Sequence, residues 1–315
     1  MNSPSYQRGI ALLVAIVLVA IATVAATAIA FSSRLAAQRA VAAITAIQAL
    51  QVAEGAEALA AYALSEDLKN NRVDSLDERW AQPFGPTEFD AHVILEANLQ
   101  DQQGKFNINN LIDDKGVADP LAREDFERLL TLLGLETKWA ALITDWIDAD
   151  NKPTFPDGAE DGSYQGLSPG YRTPNIPVTS ISELLALPGF GRDNYRKLAP
   201  YISALPSGRR LNICTAAGVV LDAMTPAQQS FSLDEASLIK RREKGCFPTM
   251  PEFQATMSDA QWKHGDLVDR LTDRTEYFQL RSYVTIGTTR ITLYSLIHRD
   301  SGGQIRPISR SFGTE

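Results

Sequence analysis

The run Ile10-Ala11-Leu12-Leu13-Val14-Ala15-Ile16-Val17-Leu18-Val19-Ala20-Ile21-Ala22-Thr23-Val24-Ala25-Ala26-Thr27-Ala28-Ile29-Ala30-Phe31 decides how the rest of this chain is read. It carries no charge, and its only polar side chains, Thr23 and Thr27, can bond back to helix carbonyls. About 20 such residues let one helix cross a bilayer, because a helix satisfies its own backbone hydrogen bonds. The preceding residues 1–9 are polar and include Arg8. Three readings fit. A secretory signal needs an apolar core of roughly 7–15 residues before a small-x-small site, and Ala28-Ile29-Ala30 offers that site after a core that is too long. A plain anchor places the short amino-terminal end in the cytoplasm through Arg8, against Arg34 and Arg39 on the far side. The third reading takes the Arg8-Gly9-Ile10 junction itself as a processing site.

Beyond the apolar run, residues 33–68 hold no proline and one glycine, Gly55. Leu35, Val41, Ile44, Ile47, Leu50, Val52 and Leu59 leave a stripe at helical spacing, so the helix is expected to continue well past the membrane. A helix over residues 10–68 would be roughly 85–90 Å long at about 1.5 Å per residue. After the Pro83-Phe84-Gly85-Pro86 turn, residues 89–99 alternate as a strand. Strands are also expected over residues 277–286, 290–298 and 304–312, around turns at Gly287-Thr288-Thr289 and Asp300-Ser301-Gly302-Gly303. Strands early and late with a helical middle imply an α+β unit interrupted by a helical insert over residues 107–272.

The insert carries a weak internal repeat. Phe106-Asn107-Ile108 and Leu211-Asn212-Ile213 each precede a helical stretch, and each asparagine suits a helix cap. A helix pair over residues 180–204 turns at Leu187-Pro188-Gly189-Phe190-Gly191. That turn, and the Arg241, Arg242, Lys244 and Cys246 segment, resemble helix-hairpin-helix (SAM-like) modules that offer backbone amides to DNA phosphate. Glycine is equally needed there for positive φ and close helix approach. A net charge of −8 over 315 residues argues against nucleic acid, whose phosphates demand clustered cations. Membrane-tethered DNA uptake or adhesion is the second reading of the whole chain.

Six acids lie within Asp145-Trp146-Ile147-Asp148-Ala149-Asp150-Asn151 and Asp157-Gly158-Ala159-Glu160-Asp161-Gly162. Asp145 and Asp148 would share a helix face, and residues 150–161 read as a loop able to fold its oxygens around one point. Hard oxygen ligands suit Ca²⁺, and no histidine or cysteine lies nearby for zinc. Such runs also occur as plain solvated loops. The loop is long for one without secondary structure, and its acids repel one another if ordered and uncompensated. Asp148, Asp150, Asp157, Glu160 and Asp161 are the candidate ligands, with Asp145 supporting. Cys214 and Cys246 are the only cysteines; they are either buried free thiols or, in a chain exported to an oxidising compartment, partners in a disulfide. His92, His264 and His298 fall in unrelated segments, and no nucleophile elbow or phosphate loop appears, so no enzyme activity is expected.

The junction Arg8-Gly9 before Ile10-Ala11-Leu12-Leu13 resembles the cleavage site of type IV prepilin-like proteins. The resemblance implies a prepilin peptidase that cuts after Gly9 and methylates Ile10. Most members carry glutamate as the fifth residue after the cut, where this chain has Val14. A missing carboxylate there resembles component K of the type II secretion system, the minor pseudopilin at the filament tip; a buried charge is tolerable only with a partner. The resemblance implies a 1–9 leader, a transmembrane helix over 10–31, and a pilin-like long helix packed on a small antiparallel sheet over 32–106 and 273–315. It further implies a large helical insert with calcium sites in its acidic region, and minor pseudopilins I and J as partners. The protein would be a single-pass inner-membrane protein held by lipid contact of its first helix, with the large domain in the periplasm.

Overall fold

The computed structural model describes residues 7–90, 92–225, 230–263 and 266–313. Residues 1–6 of the expected leader, Ala91 and His264 lie outside the described residues. One helix, α1 (Gln7–Asn70), takes in the whole apolar run; its 64 residues make a rod about 96 Å long. Thr23 Oγ1 donates to the Val19 carbonyl (2.8 Å) and Thr27 Oγ1 to that of Val24 (2.9 Å), which is how an apolar helix tolerates hydroxyls. Residues 10–44 are exposed on every side. Burial begins at Ala49 and recurs at Ala53, Ala56, Ala60 and Leu64, a helical stripe of small residues that lets a sheet approach closely.

The strands among the described residues are β1 (Phe84–Asp90), β2 (Val93–Asp101), β3 (Phe106–Asn107), β4 (Ile202–Ser203), β5 (Leu211–Asn212), β6 (Leu271–Thr272), β7 (Tyr277–Ile286), β8 (Thr289–Arg299) and β9 (Ile305–Phe312). The main sheet has the order β1-β2-β7-β8-β9 with every pair antiparallel. Alternate residues Phe278, Leu280 and Val284 of β7, with Leu293 and Ile297 of β8 and Leu95 and Leu99 of β2, bury against the alanine stripe of α1. Trp80 closes that core edge-on to Phe278, ring centroids 5.1 Å apart. Among the alanines, α1 also sends one buried carboxylate, Glu57, into the sheet, where it accepts from Ser295 Oγ (2.6 Å) and pairs with Arg310 of β9 (2.6 Å).

The expected single strand over residues 89–99 is instead the end of β1, a reversal at His92 (φ 74°) and then β2. Alternation is blind to such a reversal when both arms keep the same period. The Gly85-Pro86 pair, read as a turn, lies inside β1, where the register shifts between Phe84 and Thr87.

The insert leaves the sheet at Asp101 and returns at Tyr277, so its two connections sit side by side on neighbouring strands. Its helices are α2 (Pro120–Leu132), α3 (Lys138–Ile147), α4 (Asp161–Gln165), α5 (Gly191–Leu198), α6 (Gly218–Ala223), α7 (Glu235–Arg242), α8 (Met250–Gln254), α9 (Asp259–Lys263) and α10 (Leu267–Arg270). Asp119 starts α2 by accepting from the Leu121 and Ala122 amides, with Pro120 in the first position. Phe106 stacks on Phe126 (5.1 Å), and Trp139 meets Phe190 edge-on (5.0 Å), which joins the first half of the insert into one core.

Both repeat asparagines act through their side chains. Asn107 Oδ1 accepts from the amides of Asn109 (3.2 Å) and Leu205 (3.0 Å), and Asn212 Oδ1 accepts from that of Cys214 (3.0 Å). Each belongs to a short parallel pair, β3 with β4 and β5 with β6, which zips an entering segment to a departing one. The helix pair over 180–204 begins as a 3₁₀ turn, Ile181–Ala186, with a Ser180–Glu183 capping box, because Pro188 and Gly189 stop it before an α-helix can develop. Gly189 and Gly191 take φ of 79° and 68°, and the Phe190 between them is buried against Trp139, so this turn is spent on packing.

Candidate functional site

Helix α3 delivers Asp145 in its last turn and ends at Asp148, its C-cap; Glu160 comes back from the far end of the acidic loop. Carboxylate oxygens of these three lie within 4.8 Å of one another, and all three side chains are buried. Two acids at a helix C-terminus oppose the helix dipole. Asp145 accepts from the Thr154 amide on both oxygens (3.1 and 3.0 Å), which bends the loop back over the helix end. Gly158 sits in this bend, where a Cβ would strike the Asp145 carboxylate and the Thr154 backbone.

Among the described residues no cationic side chain pairs with Asp145, Asp148 or Glu160. Asp148 Oδ1 and Glu160 Oε1 are buried without a hydrogen-bond partner among the described residues, as is the Tyr164 hydroxyl nearby. Burial, then repulsion from Asp145 and Asp150, pushes Asp148 up to about 6; burial, then Asp145 and Asp148, pushes Glu160 up to about 7. Burial also raises Asp145, against the hydrogen bonds from Thr154 that favour its charged form. Trp146, which follows Asp145 in the chain, forms one aromatic cluster with Tyr164 and Tyr171, the Trp146 and Tyr164 rings 5.4 Å apart.

Not every sequence candidate arrives here. Asp145, expected in support, stands at the centre with Asp148 and Glu160, whereas Asp150, Asp157 and Asp161 lie outside this cluster. Asp150 is exposed; its side chain accepts from the Lys152 amide (2.7 Å) and its carbonyl from Asn175 (2.7 Å). Asp157 is exposed. Asp161 is drawn to Thr173, accepting from its amide (3.1 Å) and hydroxyl (3.0 Å). Thr173 also donates to Glu160 (3.3 Å), so Thr173 and Asn175 fasten the loop, and nothing in the sequence marks either residue. Oxygen-only donors, orphaned buried carboxylate oxygens and a glycine cradle together fit a hard divalent cation of the Ca²⁺ type.

A second acidic group, Asp67, Asp74 and Glu78, forms where α1 ends. Here a cation of the protein intervenes: Arg299 of β8 pairs with Asp67 (3.2 Å) and Asp74 (2.5 Å) and donates to the Thr275 carbonyl (2.7 Å). Asn212 donates to the Asp74 carbonyl (3.0 Å), Asp101 (2.9 Å) and Thr275 Oγ1 (3.0 Å), tying the insert's neck to the same point.

At the other end of α1, Gly9 and Ile10 are helical, and Ile10 and Val14 are exposed. The helix is long and apolar enough to cross a membrane, with a mean hydropathy of 2.8 in its apolar window and none of that window buried by the protein. Cys214 and Cys246 are joined in a disulfide with Cα atoms 4.6 Å apart. His92 lies in the β1–β2 turn and His298 stacks against Tyr277 (4.7 Å).

Across 98% of its length the chain is 32% identical to type II secretion system protein K of Pseudomonas aeruginosa, covering 93% of that protein. The chain belongs to the type II secretion system protein K family. The family's sequence profile, described as type II secretion system (T2SS), protein K, matches residues 104–207, which span α2, α3 and the acidic loop. The protein K of Klebsiella pneumoniae is also 32% identical, over 98% of this chain and 97% of its own length. Among solved structures, a chain of the GspK–GspI–GspJ complex from the enterotoxigenic Escherichia coli type 2 secretion system matches with a TM-score of 0.73 and 28% identity, over 85% of this chain and 96% of that one. Protein K membership accounts for the rod, the sheet and the inserted head together.

Proposed function

We propose that this chain is the minor pseudopilin at the tip of a type II secretion pseudopilus, where it initiates or caps the filament that exports folded proteins. One observation carries the reading: a 64-residue rod is bare over its first half and sheet-covered over its second, and a head far larger than the sheet sits beyond its end. The bare half offers apolar surface first to lipid and then to the helices of neighbouring subunits, minor pseudopilins I and J. The head is bonded to the far end of α1 through Arg299, Asp74 and Asn212, so it occupies the space where another subunit would stack.

In this reading a prepilin peptidase cuts after Gly9 and methylates Ile10, and the head lies in the periplasm. Val14 leaves no buried carboxylate in the bundle to be matched by a neighbour. Asp145, Asp148 and Glu160 hold Ca²⁺, whose charge offsets the mutual repulsion of the three carboxylates. Mass spectrometry of the mature amino terminus in a secretion-competent cell tests the reading. Methylated Ile10 is expected; a chain beginning at Met1 or after Ala30 overturns it.

A further inference from the structure

Arg242 ends α7 with 5% of its surface exposed and forms no ion pair among the described residues. Its guanidinium instead spans two chain segments, Nε donating to the Phe247 carbonyl (2.7 Å) and Nη2 to the Ile213 carbonyl (2.8 Å). Those carbonyls adjoin the two cysteines: Ile213 precedes Cys214, and Phe247 follows Cys246. The fork therefore holds the two cysteine segments together through hydrogen bonds that do not depend on the sulfurs. Burial lowers Arg242 to about 10, which leaves it charged at neutral pH. The two sulfurs differ in access, since Cys214 is fully buried and Cys246 is partly exposed.

We propose that Arg242 is the positioning residue for disulfide formation in this chain, and that Cys246 is the thiol that meets the oxidant. The oxidant is an external disulfide, carried by a protein or a small thiol compound. The Cys246 thiolate attacks it, forming a mixed disulfide and releasing one thiolate. Cys214, held alongside by the Arg242 fork, then attacks the Cys246 sulfur and expels the second thiolate. The chain loses two electrons, the external disulfide becomes two thiols, and the protons of Cys246 and Cys214 pass to those leaving groups. A cation buried between the two segments is expected to favour the thiolate form, and pre-pairing raises the effective concentration of the second thiol. The bond thus staples a pair already assembled by hydrogen bonds.

The full chain in detergent, reduced and then titrated with glutathione disulfide, tests this. In wild type, Cys246 is expected to alkylate with a half-point below the ordinary thiol value of about 8.5, and the pair to oxidise without accumulating a mixed disulfide. Arg242→Met should raise that half-point and lower the effective concentration of the thiol pair at least about tenfold, roughly 1.4 kcal/mol. Arg242→Lys should restore the half-point but not the effective concentration, because it keeps the charge and loses the fork. Cys214→Ser should trap glutathione on Cys246, and Cys246→Ser should leave Cys214 unmodified, a readout that survives if Arg242→Met fails to fold. An unchanged half-point and effective concentration in a folded Arg242→Met protein, or equal trapping at Cys214 and Cys246, overturns the proposal.

Discussion

Replacing Asp148 by Asn should stabilise the chain without calcium, and calcium should narrow or invert that gain. Its carboxylate lies within 4.8 Å of those of Asp145 and Glu160, so each ionised pair costs about 3.5 kcal/mol or more at an effective dielectric near 20. Protonation limits how much of this is realised. Holding the carboxyl at about 6 instead of 3.8 disfavours its ionised form by about 3 kcal/mol above pH 7, and solvent screening trims this to about 2 kcal/mol. Asp148→Asn removes that penalty, so in EDTA at pH 8 the variant should melt on the order of 5 °C above wild type. With free calcium at about a hundred times its dissociation constant, wild type is expected to gain about 2.7 kcal/mol. Lacking one proposed ligand, the variant should bind more weakly and gain less, so the gap in melting temperature should narrow or invert. Calorimetric melting of the detergent-solubilised chain, with and without calcium, gives both values. A variant that melts below wild type in EDTA, or calcium shifts that are equal in the two proteins, refutes the reasoning.

The same site sets a pH dependence. Asp148 and Glu160 have raised folded values, so the stability they contribute is full below about 4 and is lost as pH rises through about 6 to 7; metal-free protein should melt higher at pH 5 than at pH 8, and saturating calcium should flatten or reverse that trend because its ligands must be deprotonated. Gly158→Ala, which changes no charge, should weaken calcium binding at least about tenfold in a calorimetric titration, since its Cβ displaces Asp145 or Thr154. Arg299→Met strands the buried Asp74 carboxylate and should cost about 3–5 kcal/mol in denaturant unfolding, with Asp74→Asn restoring part of the loss in the double variant. Phe126→Ala should cost about 3–5 kcal/mol by opening a cavity beneath Phe106.

What could be read from the sequence follows from how local the signal is. The long helix showed itself because an uncharged run and an alanine-rich stripe follow one another without a proline, and nothing tertiary overrides them. Strands β7 to β9 showed themselves through the turns that separate them, at Gly287 and Gly303, both at positive φ. The β1–β2 hairpin was hidden because its reversal at His92 preserves the alternation. The acidic loop was legible as a place and not as a ligand set. Asp145 enters the centre only because the Thr154 amide folds onto it, and Asp161 leaves because Thr173 claims it; both events depend on where the loop returns. The Arg299 network was invisible, since Asp67 and Arg299 are more than two hundred positions apart and neither sits in a motif.

The side-by-side exit and return of the insert on β2 and β7 determine how a pull on the head is borne. Both connections lie at one end of that ladder, where Asp101 faces Phe278, and tension there would peel the pair apart one hydrogen bond at a time. Arg299 reaches across this weak corner from β8 to Asp67 of α1, and so diverts the load from the zipper into the shaft. A drag on the head would then load the rod as well as the β2–β7 ladder.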